Sequence, residues 1–172
     1  RYSTINPVTC NDTFGTRAPL SSGTLLGSGT VPTPYTANIS GLTSGTTYYY
    51  CAIASNAVGT GVGNVMTFST PGAPTVATLA ATAVSSSVAT LNGSADPRGG
   101  DTTGYFRFST TNPGVCNNTF GVRAPGSGGT TILAAAGLTP FNASLSGLAP
   151  ATTYYFCAIA QNSVGTVYGS VL

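Results

Sequence analysis

The sequence predicts an all-β protein made of tandem Greek-key β-sandwich units, and three observations carry that expectation. Short runs rich in Val, Thr, Tyr and Phe alternate with clusters of Gly, Pro, Asn and Ser, most clearly over residues 73–172. A turn signal about every 8 to 12 residues is the pattern of short antiparallel strands. No apolar stripe recurs with the 3.6-residue period of a helix. The chain also matches itself at an offset of 106 residues without a gap, with 36 of the 66 overlapping positions identical. Solenoid repeats run to roughly 20 to 50 residues; a longer period is the size of one independent sandwich.

The elements of the later unit follow from its punctuation. After the short linker "STPGAP" at residues 69–74, strands are expected over 75–83 and 87–95, parted near Ser85 and Ser86. The turn-rich "DPRGGD" separates these from a strand over 103–110. Further strands are expected over 130–134, 141–146, 152–162 and 166–172, the last two divided by "NSVG". Seven short strands in about 100 residues make a two-sheet Greek key.

Composition excludes several function classes. Only eight residues are charged, five Arg and three Asp, and Lys, Glu, His and Trp are absent. Ser and Thr supply 47 of the 172 residues, so the surface is polar through hydroxyls. A net charge of +2 over scattered arginines forms no basic stripe, and nucleic-acid binding is not expected. No apolar run nears the 18 residues of a membrane span, so no membrane insertion is expected. The chain begins with Arg, which reads as a processed or excerpted segment. So little net repulsion favours association, which fits a body that is glycosylated, assembled or part of a larger protein.

Catalysis has no obvious carrier. No catalytic, cofactor-binding or metal-ligating set is expected, because no His, Lys or Glu is present for general base work and no CxxC pair occurs. Asp96 and Asp101 flank Arg98 in "DPRGGD", a poor Ca²⁺ cage that reads instead as a stabilised turn.

Two stretches reach a family. "GLAPATTYYFCAIAQNSVG" at residues 147–165 resembles the entry into strand F of fibronectin type III domains, and "ATLNGSADPRGGDTTGYFRFST" at 89–110 resembles strands B and C of the version common in bacterial secreted and surface proteins. The resemblance covers the whole chain twice. It implies that residues 71–172 form a nearly complete domain with strands A to G, while residues 1–70 supply only C to G of another. An open half of that kind calls for a covering interface or for a longer tandem array.

The same resemblance orients strand F. It places Tyr48 and Tyr154 at the tyrosine corner, with the Tyr154 hydroxyl reaching back to backbone near Leu148. Alternation then turns Phe156, Ala158 and Ala160 inward, and Tyr155, Cys157 and Ile159 outward. In the earlier unit Tyr49, Cys51 and Ile53 face outward by the same count. Four cysteines allow three pairings. Identical placement in both repeats favours Cys10 with Cys51 and Cys116 with Cys157, each pair tying the loop after strand C to the outer face of F, and implies an oxidising compartment.

Five Asn-X-Ser/Thr sequons occur, and Asn11 and Asn117 stand out because they recur beside a cysteine in an exposed loop. The outward residues Tyr49, Ile53, Tyr155 and Ile159 form a candidate assembly or ligand face. The plainer alternative has residues 5–19 and 111–125 lying over them, with Phe14 and Phe120 as packing partners. Two roles follow as expectations. The first is an extracellular structural repeat of a bacterial surface protein, adhesin stalk or filament, partnered by copies of itself or by adjacent repeats. The second is a polysaccharide-binding or spacer module of a secreted enzyme.

Overall fold

All regular structure in the computed structural model, which describes residues 1–172, is β-strand joined by turns and loops. The chain divides into two units, Arg1–Thr70 and Pro71–Leu172.

The first unit holds β1 (Tyr2–Ser3), β2 (Thr47–Tyr50), β3 (Ile53–Ser55), β4 (Thr60–Val62) and β5 (Met66–Ser69). β1, β2 and β5 form one antiparallel sheet, and β3 pairs with β4 in a hairpin. The Asn56 carboxamide closes that hairpin by accepting the amides of Val58 and Gly59 at 2.9 and 3.0 Å. Residues 17–46 contain no strand, although residues 1–70 were expected to supply strands C to G. Only Tyr48 and Cys51 are buried in this unit.

The second unit holds β6 (Thr75–Thr82), β7 (Val88–Asp96), β8 (Thr102–Ser109), β9 (Val122–Ala124), β10 (Thr130–Ile132), β11 (Thr139–Ser146), β12 (Tyr155–Gln161) and β13 (Thr166–Tyr168). β11-β7-β6 make one sheet and β10-β8-β12-β13 the other, with β9 also on β8. All pairings are antiparallel. The short β9 lies outside the predicted set: Val122, Arg123 and Ala124 stand between Gly121 and Pro125 and read as loop.

The main core lies between these two sheets. β7 sends Leu91 and Ala95 inward and β11 sends Phe141, Ala143 and Leu145, in strict alternation with exposed or half-buried residues. β8 and β12 answer with Phe106, Phe156, Ala158 and Ala160. Small residues make room for large ones: the Phe141 ring fills the space that a Cβ would need at Gly93 or Gly104, 2.9 and 3.0 Å away. Burying one Phe side chain stabilises by about 1.5–3 kcal/mol. A polar tie joins the sheets where the Ala158 amide donates to the Thr78 hydroxyl at 3.0 Å.

β12 departs from this alternation, since all of Phe156–Ala160 is buried. Its second face must therefore be covered too.

Candidate functional site

The cover is the loop between β8 and β9, pinned to β12 by a disulfide. Cys116 and Cys157 are bonded with Cα atoms 6.0 Å apart, and Cys10 and Cys51 are bonded at the same spacing in the first unit. Each bridge spans a sequence separation of 41, and no cysteine is left free.

Around the second bridge the loop builds a small apolar cluster. Tyr105, Cys116, Cys157 and Ile159 are buried together, with Phe120 and Val171 against them. The Arg123 guanidinium stacks over the Tyr105 ring at 4.0 Å. The Tyr105 hydroxyl donates to Asn118 Oδ1 at 2.9 Å, and burial pushes its pKa up.

Three devices hold the loop, two polar and one a matter of backbone conformation, and both units use them. Arg107 Nη1 donates to the carbonyls of Phe120 and Gly121 at 3.3 and 3.2 Å; Arg1 Nη1 does the same to Phe14 and Gly15 at 3.4 and 3.3 Å. Asn117 Oδ1 accepts the amides of Thr119 and Phe120, both at 2.9 Å; Asn11 Oδ1 likewise accepts those of Thr13 and Phe14. Gly121 and Gly15 adopt φ of 51° and 50°, where a Cβ would collide with the carbonyl oxygens of Phe108 and Tyr2. The repeated "NxTFG" thus spells a turn that folds back onto its strand.

This cover corrects the outward face read from alternation. Ile159 is fully buried, as is Cys157, because the clasp loop seals the side of β12 away from the main core. Ile159 therefore offers no surface to a partner. Tyr49, Ile53 and Tyr155 are half-buried. Phe120 packs on the Tyr105, Cys157 and Ile159 cluster.

The other singled-out residues have definite places. Tyr48 and Tyr154 accept, at their hydroxyl oxygens, the amides of Thr43 and Ala149, both at 2.9 Å. Each bond closes the turn before its strand. Asn11 and Asn117 are exposed, with their carboxamide oxygens engaged in the turns just described. Asp96 accepts the Arg98 amide at 2.9 Å, and Asp101 accepts that of Ala134 at 2.7 Å, so each carboxylate fixes local backbone. Nowhere do three His, Cys, Asp or Glu side chains gather as a metal-sized group, and no helix is long and apolar enough to cross a membrane.

Sequence reasoning missed Tyr105 and Arg123 as parts of the clasp. For Arg123 the available signal was the rigid offset of Arg107, Cys116 and the "NTFGVRAP" run, which recurs with two changes between Arg1 and Pro19. Among known proteins, no family model matches the chain and no curated relative is found.

Proposed function

We propose that the chain is a non-enzymatic extracellular structural repeat, a disulfide-clamped building block of a bacterial surface protein, adhesin stalk or filament. The observation that carries this reading is the recurrence of the ties that hold the clasp loop: bridge, arginine clamp and Asx turn stand at matched positions in both units. A device that locks a surface loop in every repeat, and that lines no catalytic group, serves durability outside the cell. Two disulfides suit an oxidising setting.

The sheet order β11-β7-β6 against β10-β8-β12-β13 and the tyrosine corner support assignment of the second unit to the fibronectin type III type. Sparse charge favours contact with copies of itself or with adjacent repeats. Asn11 and Asn117, exposed at the edge of each clasp, are the candidate sites for glycans.

Electron microscopy of the purified protein, paired with chromatography on immobilised polysaccharide, tests the assignment. Regular filaments or end-to-end chains are expected. Monomers that are retained by polysaccharide would establish the binding-module reading instead.

A further inference from the structure

Three of the five Asn-X-Ser/Thr sequons lie in the second unit, and two of them have a structural reason for their residues. Asn92 Nδ2 donates to the Ala80 carbonyl and the Thr82 hydroxyl at 2.9 and 3.0 Å, bridging the register shift between Leu79 and Thr82 on β6. Asn117 and Thr119 close the clasp turn, where the Thr119 hydroxyl donates to Asn117 Oδ1 at 2.8 Å; Asn11 and Thr13 do the same in the first unit, and Asn38 there lies outside any strand. The third, Asn142-Ala143-Ser144 on β11, has no such reason. Asn142 and Ser144 are both exposed on the outer face of the sheet, and no side-chain hydrogen bond fixes either. Asn is depleted in strands, and the other repeat has Thr36 at the position of Asn142. Neither the strand nor the repeat explains the Asn.

β11 is also an edge without a guard. It ends its sheet and pairs with β7 alone, through all 8 residues and with no register shift. Its other side presents a row of backbone donors and acceptors to any strand that comes alongside. Edges of this kind are ordinarily blunted by charge, Pro, a bulge or a cover. β11 has no charged residue and no bulge, and its one Pro, Pro140, stands near the end.

We propose that Asn142 carries an N-linked glycan that guards the free edge of β11. The side chain stands in mid-strand on the last strand of the sheet, so a sugar chain on Nδ2 extends over the edge and keeps a strand of another copy from pairing there. In the attachment step Nδ2 attacks the anomeric carbon of a glycosyl pyrophosphate donor. The C–N bond forms as the bond from that carbon to the pyrophosphate oxygen breaks, the proton lost from Nδ2 leaves with the pyrophosphate, and nothing is oxidised or reduced. The glycan also supplies solvation that a chain with only eight charged residues lacks. The proposal rests on the extracellular reading in one respect, that an exported chain meets such donors on its way out.

The test recovers the full chain from the surface, the medium and the interior of the cells that make it, and maps its peptides by tandem mass spectrometry beside Asn142→Gln and Ser144→Ala variants. A glycan mass localised to Asn142 is expected, and its absence from both variants. Asn142 holds no structural bond, so its variants fold. Asn142→Gln is expected to sediment as larger, side-by-side assemblies, and Asn142→Lys, which sets a charge on the same edge, to stay as dispersed as the glycosylated chain. Bare Asn142 in protein from the surface or medium overturns the proposal and leaves the extracellular role standing. Protein found only inside the cells overturns that role, and bare Asn142 there overturns the proposal with it. A glycan at Asn142 whose loss leaves sedimentation unchanged overturns the guarding of the edge.

Discussion

Residues 33–40, "TPYTANIS", and residues 139–146, "TPFNASLS", occupy the same place in the repeat, yet only the second forms a strand. β11 is paired along its whole length with β7, from Thr139 opposite Ala95 to Ser146 opposite Val88. The first unit has no strand equivalent to β7, and its copy of the segment forms no ladder. β2 and β3 repeat the contrast. Jointly they correspond to β12, which runs unbroken beside β8, but they part at Cys51 and Ala52. Strand propensity in such sequences is a readiness to pair and pack, and the neighbour decides whether it is used.

The comparison is broken or sharpened most strongly by truncating matched aromatic residues. Phe141→Ala should destabilise the second unit by about 3–5 kcal/mol, while Tyr35→Ala should change the first by no more than about 0.5 kcal/mol. Urea unfolding with unit-resolved hydrogen exchange checks both, and equal losses would mean that something already closes the first unit. Reduction comes next. Opening Cys116–Cys157 should remove about 4 kcal/mol, by a model-dependent loop-entropy estimate, and lower the melting midpoint of the second unit by about 10 °C or more. In the first unit reduction should instead free the clasp loop locally, seen as faster exchange over residues 5–15 without a cooperative transition. An unchanged midpoint would assign the hold on the loop to the Tyr105 cluster alone.

The smallest effect belongs to a feature that the two units share. Tyr154→Phe and Tyr48→Phe each delete one hydroxyl that accepts a backbone amide, a loss of about 1 kcal/mol. Amide exchange at Ala149 and Thr43 should quicken by a similar factor in both. A larger response at Thr43 would show that the corner, rather than the core, holds the first unit together.

Much of the second unit was legible because its signals are local. Gly, Pro and Asn mark its turns, and alternation on β7 and β11 separates the wet face from the dry one. What escaped was non-local. Val122–Ala124 becomes a strand only because Phe106–Phe108 offers an edge beside it. Ile159 alternates to the outer face as expected, but alternation carries no word on whether a loop some 40 residues upstream comes back to cover it. The cysteine spacing hinted at that return; the aromatic and arginine partners that make it dry had to be seen in place.

The clasp also sets how the chain behaves under load. Pulled from its ends, a sandwich without cross-links gives up all its residues to extension, but a bridge between Cys116 and Cys157 withholds the loop between them, a separation of 41 residues. At about 3.3–3.6 Å per extended residue, roughly 140 Å of slack stays locked even after the strands part. The bridge between Cys10 and Cys51 sets the same stop in the other unit. Each clasp is thus a limit on stretch, and a tether built from such repeats would yield in short, equal, recoverable steps.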